Sequence, residues 1–205
     1  MYPLLPTRLL ALRQQWGTVL NTYRDNIPLG YLVAHMVADS NGVSTVVSTD
    51  RIKRPQGLMQ VPLRDATRFS YTEKALQKDT TNLQAAAKVI NLYSELLHNT
   101  YPLVWPTATQ DFWCAVRLLY LVNLTSFSNL MTQLTGTKTL DILLAYMTGR
   151  TTRLGRWHPR DLKRFATHIA EFRVALRLLD GATAPGYHAS LIPPPPGGAL
   201  MQETQ

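Results

Sequence analysis

Residues 27–42 run Ile27-Pro28-Leu29-Gly30-Tyr31-Leu32-Val33-Ala34-His35-Met36-Val37-Ala38-Asp39-Ser40-Asn41-Gly42. Pro28 suits the first turn of a helix, where its missing N–H costs nothing. The cluster Asp39-Ser40-Asn41-Gly42 is a turn signal. A helix is therefore expected from about Pro28 to Ala38, with an acidic residue where it stops.

Working outward, the apolar period is helical almost everywhere. Leu9, Leu12, Trp16, Leu20 and Tyr23 recur at spacings of three and four and share one face of a preceding helix. From Val43 to Gln56 the chain holds β-branched residues and then basic ones, which gives it the one stretch of strand character. A further helical piece is expected near Gly57, and Leu83, Ala86, Ala87, Ile90, Tyr93 and Leu97 define a strong helix capped by Thr80 or Thr81. Pro102 and Pro106 exclude helix between Tyr101 and Thr109. Helix resumes from about Gln110 to Leu134, stops at Gly136, and is followed by a shorter one from about Lys138 to Met147. The last helix starts at Pro159 with Asp161 in its first turn and ends near Gly181. Its stripe of Leu162, Phe165, Ile169, Phe172, Leu176 and Leu179 is expected to pack onto the rest of the chain. Beyond Gly181 the composition turns to Ala, Pro and Gly, with four consecutive prolines from Pro193 to Pro196, a run that favours polyproline II and cannot join a core.

Composition bounds the function. The chain has 205 residues, 45% apolar and 17% charged, enough to bury a core in one domain. A lone Cys114 excludes an internal disulfide and a cysteine zinc site, and its place on the apolar side of a helix reads as core. The most apolar stretch, Phe112 to Leu124, is interrupted by Arg117 and is too short to span a bilayer. Arg8 and Arg13 bracket only a short apolar stretch, so no signal peptide is expected at the N-terminus. The net charge of +8 is uneven: residues 150–177 carry eight basic residues against Asp161 and Glu171, while the rest has 13 basic and 11 acidic. Such a segment attracts polyanions, including nucleic acid, anionic lipid and phosphate-bearing surface polymers.

A second short block completes the constellation. With fourteen residues intervening after Gly42 comes Gly57-Leu58-Met59-Gln60-Val61-Pro62, and Asp39 and Gly57 are eighteen positions apart. An acid-Ser-x-Gly turn after an amphipathic helix, followed at this interval by Gly-Leu-Met-Gln, resembles the soluble lytic transglycosylase and goose-type lysozyme family. The family has Glu where this chain has Asp39. Its later Ala-Tyr-Asn segment has as nearest counterpart Leu118-Leu119-Tyr120-Leu121-Val122-Asn123.

The resemblance implies a mainly α, lysozyme-like domain over residues 1–148 with a small irregular or β-like stretch. A basic amphipathic helix packs on it at 149–181, and a Pro-rich tail occupies 182–205. The implied chemistry is cleavage of the β-1,4 bond between the amino sugars of peptidoglycan by one carboxyl group, Asp39, acting first as acid and then as base. Ser40, Gly57, Leu58, Met59, Gln60 and Tyr120 would line the sugar groove. No cofactor and no metal are implied. Such an acid needs its pKa raised, and burial against Met59 is expected to raise it. Asp is shorter than Glu by one methylene, about 1.5 Å, so two outcomes are open. Either a shifted backbone brings Asp39 to the bond, or the groove binds glycan without cutting it.

A phage particle or contractile tail is the expected vehicle to the host periplasm or cell wall, with protein partners held through the Pro-rich tail. The alternatives are a structural virion or tail component that has lost its acid, and a nucleic-acid binder resting on the basic segment. Asp50 and Asp65 read as surface or capping residues. His35 reads as packing, and His98, His158, His168 and His188 show no ligand spacing. No His-Glu-x-x-His, phosphate-cradling glycine loop or Gly-x-Ser-x-Gly elbow occurs.

Overall fold

A computed structural model describes residues 1–45, 55–102 and 109–181. Most of the strand-like stretch with Asp50, the link containing Pro106, and the Pro-rich tail lie outside the described residues. The fold is mainly α. In chain order the elements are α1 (Pro6–Tyr23), α2 (Leu29–Ser40), β1 (Pro55–Gln56), β2 (Val61–Pro62), α3 (Leu63–Thr67), α4 (Asp79–Thr100), α5 (Gln110–Val122), α6 (Leu124–Gln133), α7 (Leu140–Gly149) and α8 (Pro159–Gly181). No helix among the described residues is long and apolar enough to cross a membrane.

Two helices are buried on nearly every face. In α2, the residues from Gly30 to Ala38 are all buried, and α5 is buried from Phe112 to Tyr120. They can be central because α1 and α8 pack on α2, while α4 and α8 pack on α5. The apolar stripe of α8 behaves as its spacing predicts: Leu162, Phe165, Ile169, Phe172, Leu176 and Leu179 are all buried. Each such side chain contributes about 1.5–3 kcal/mol of transfer free energy. Because α8 touches α1, α2, α5 and α7, it closes the same core that the earlier helices form. Arg173 fastens its outer side, donating to Asp141 on α7 at 2.6 Å and to Asp111 on α5 at 3.0 Å.

The turn after α2 forms as its composition requires. Asn41 adopts a left-handed conformation (φ 54°) and its N–H closes the helix on the Val37 carbonyl at 3.0 Å. Ser40 Oγ donates to the Met36 carbonyl and accepts from the Gly42 N–H, both at 3.1 Å. Arg8 reaches across from α1 to donate to Asn41 Oδ1 at 3.0 Å.

Three expectations are corrected. Gly57 does not start a helix: residues 57–60 form the turn between the antiparallel strands β1 and β2, and helix begins only at Leu63. Gly57 sits at φ +68°, and a Cβ there would lie 2.3 Å from Asn82 Nδ2. Asn82, fully buried on α4, donates to the carbonyls of Gln56 (2.8 Å) and Leu76 (2.9 Å) and accepts from the Met59 N–H (2.7 Å), so it pins this turn to the core. The long helix expected from Gln110 to Leu134 is two. Asn123 breaks it at φ 74°, ψ 164°, and its side chain caps α6 by accepting from the Ser126 N–H at 3.0 Å. Finally, α4 begins at Asp79 without a side-chain cap, ahead of Thr80 and Thr81.

Candidate functional site

A groove of about 290 Å³ opens where the last turn of α2, the β1–β2 turn, α5 and α8 converge. Asp39 from α2, Gln60 from the β1–β2 turn, Tyr120 and Leu121 from α5, Trp157 from the loop before α8, and Arg164 and Phe165 from α8 line it, together with Met1, Pro55 and Pro62. Trp157 and Phe165 meet edge to face with ring centroids 5.0 Å apart. The Arg156 guanidinium covers one face of Trp157 at 4.3 Å, so the pair offers the groove apolar aromatic surface beside a few fixed polar groups, a combination that suits the apolar C–H face and polar rim of a sugar ring.

Of the residues expected at a sugar groove, the structure brings three together there: Asp39, Gln60 and Tyr120. Tyr120 donates its hydroxyl to the Gln60 carbonyl at 3.2 Å. Its ring meets His35 edge-on at 4.8 Å. Ser40, Gly57, Leu58 and Met59 are corrected to supporting positions. Ser40, Leu58 and Met59 have no exposed surface, and Gly57 is buried under Asn82. Met59 holds the site through its backbone: its carbonyl lies 3.2 Å from His35 Nε2. Asp65 stands apart on α3, where it accepts from the Tyr93 hydroxyl at 3.0 Å.

The arrangement around Asp39 was not foreseen. Arg117, on α5 and fully buried, takes Asp39 in a two-pronged grip: Nη2 donates to Oδ1 at 2.5 Å and Nη1 to Oδ2 at 2.9 Å. The same Nη1 lies 3.1 Å from His35 Nδ1, and Nε donates to His168 Nε2 at 3.3 Å. His35 Nε2 is also 3.1 Å from Asp39 Oδ2. These contacts fix the tautomers: a neutral His35 carries its proton on Nε2 and accepts at Nδ1, and a neutral His168 accepts at Nε2. The guanidinium also lies 5.8 Å from the Tyr120 ring centre and 5.7 Å from that of Phe172.

The charges follow from the geometry. Burial alone pushes the Asp39 carboxyl up, but the Arg117 guanidinium and the His35 ring outweigh it, and the carboxyl is held well below the usual carboxylate range. The expected rise from packing on Met59 is thus corrected. Burial, reinforced by Arg117, pushes the His35 ring down and takes His168 down to about 3. Burial opposes the charge on Arg117, and Asp39 more than restores it. The cluster is one carboxylate and one guanidinium set between two neutral imidazoles.

With only 11% of its side chain exposed, Asp39 presents a fixed negative edge to the groove. That edge accepts hydrogen bonds from hydroxyl or amide groups. The ion pair favours its charged form across the neutral range. Among the described residues no group of His, Cys, Asp and Glu is placed to hold a metal ion.

Arg117, His168, Trp157 and Arg164 were missed as site residues by sequence reading. The available signal for Arg117 was a lone cation inside the apolar run Phe112 to Leu124, which a buried helix tolerates only when the charge is paired. The basic segment 150–177 is partly committed to internal bonds. Arg150 donates to Gln133 Oε1, Arg153 to His158, and Arg173 to Asp111 and Asp141. No protein-family model matches the chain, and no curated protein matches it.

Proposed function

We propose that this chain is a lysozyme-like module that holds a peptidoglycan glycan strand in its groove without cleaving it, serving as a component of a phage particle or tail. The observation that carries this reading is the grip of Arg117 on Asp39 at 2.5 and 2.9 Å. General acid catalysis needs a carboxyl that is protonated near the working pH and free to give up its proton. A carboxylate held by a buried guanidinium is neither.

Supporting a bound glycan are an ionised acceptor at Asp39, the aromatic pair Trp157 and Phe165, and Tyr120, all in the lining of one groove. Support for a glycan ligand comes from the resemblance over Asp39–Gly42 and Gly57–Gln60, together with the meeting of Asp39, Gln60 and Tyr120 in one groove.

Purified protein mixed with cell-wall sacculi tests the proposal. Co-sedimentation with sacculi and no release of soluble muropeptides is expected, and Trp157→Ala should weaken the co-sedimentation. Release of soluble muropeptides by the wild type would overturn the non-cleaving reading. Failure to sediment with sacculi would remove the glycan ligand altogether.

A further inference from the structure

A second cleft, of about 890 Å³, opens between α3, α4 and the start of α6. Three arginines line it: Arg64 and Arg68, one turn apart at α3, and Arg156 from the loop before α8. All three side chains are exposed, and none has an ion-pair partner among the described residues. Arg156 is held at the rim by stacking 4.3 Å over the Trp157 ring. Among the described residues the one carboxylate in the lining, Asp65, already accepts from Tyr93.

Helix α6 starts in the same cleft, with Leu124, Thr125 and Ser126 on its wall. Asn123 satisfies the Ser126 N–H, while the first-turn N–H groups of Leu124 and Thr125 have no acceptor within the helix. Cations spread around a concavity, and a helix start facing into it, favour a bound anion. Three guanidiniums against one carboxylate leave a surplus of two positive charges. Arginine forks match the paired oxygens of a tetrahedral oxyanion better than those of a halide.

We infer that this cleft binds a phosphate monoester group, which carries close to two negative charges at neutral pH. The cleft shares no lining residue with the groove, although Arg156 stacks on the groove's Trp157, and the inference does not rest on what the groove holds. A nucleic-acid strand is the poorer occupant. The one aromatic ring in the cleft among the described residues, Tyr93, is half-buried, packed 5.5 Å from Tyr120 and tied to Asp65, which disfavours its stacking on a base.

The test is a titration of the full chain with inorganic phosphate and with glycerol 1-phosphate at constant ionic strength, followed by calorimetry and by amide shifts. Saturation at one equivalent is expected, with shifts concentrated at Leu124–Ser126 and α3. The Arg64→Gln/Arg68→Gln variant should bind at least tenfold more weakly with an unchanged melting temperature, Arg156→Gln should also weaken binding, and Arg160→Gln on α8 should not. Dimethyl phosphate, a singly charged diester, should bind more weakly than either monoester. A response no larger than that to chloride, or unaltered affinity in the double variant, would overturn the inference. So would tighter binding of a single-stranded oligonucleotide that Arg160→Gln abolishes, since the anion surface would then lie on α8.

Discussion

Replacing Asp39 by Asn should destabilise the fold far more than loss of an ordinary ion pair. The change keeps the shape of the side chain and removes its charge. Arg117 then remains fully buried, with two neutral imidazoles as its other side-chain partners. The Asn amide offers one acceptor oxygen where the carboxylate offered two, and its NH₂ group must face a guanidinium donor. Breaking a buried pair from one side costs about 3–5 kcal/mol. For a chain of this size that corresponds to a fall in melting temperature of roughly 6 to 20 °C. Urea unfolding at pH 7 followed by circular dichroism measures the loss directly. In Asp39→Asn/Arg117→Met, where neither charge remains, much of the loss should return, because a buried ion pair is often no better than a well-packed apolar pair. A single-variant loss under about 1 kcal/mol, the size of an exposed pair, would refute the claim that Arg117 depends on Asp39.

Acid should destabilise the protein in two stages. His35 and His168 are pushed below their unfolded value, so the unfolded chain binds more protons once pH drops below about 6.5. Stability should therefore fall from there by up to about 1.4 kcal/mol per pH unit for each ring. Asp39 is also lowered, and its contribution, present above about pH 4, should be lost progressively below it. Urea midpoints from pH 8 to 3 check the sequence, and a flat profile down to pH 4 would contradict it. Gly57→Ala should cost about 1–3 kcal/mol from its left-handed backbone alone, and more because Asn82 must move; chemical denaturation reads this. At Asn123, whose backbone lies in a region that favours glycine, Asn123→Gly should be neutral or stabilising despite the lost cap, whereas Asn123→Ala should cost about 1 kcal/mol or more by the same assay.

The helical plan was legible because most of it rests on local periodicity. The stripe of α8 and the Asp39–Gly42 turn follow from spacing and turn chemistry. The misses arise where distant residues decide. The Gly57 turn is a turn because Asn82, on α4, fills the hydrogen-bonding positions around it, and no local pattern carries that information. The break at Asn123 stayed hidden because apolar residues continue on both sides and a single Asn is a weak breaker. At the site, the residue types that meet were partly foreseen in Asp39, Gln60 and Tyr120. The state of Asp39 was not, since it is set by Arg117, 78 positions away, and by His35 one helical turn before it.

A non-cleaving groove requires Asp39 to remain a carboxylate inside it. Carbon-detected magnetic resonance of the Asp39 side-chain carboxyl as a function of pH tests this most directly. The shift should stay at its ionised value from pH 7 down to the lowest pH at which the chain remains folded. A protonation midpoint at or above pH 5 in the folded protein would contradict it and restore Asp39 as a proton donor.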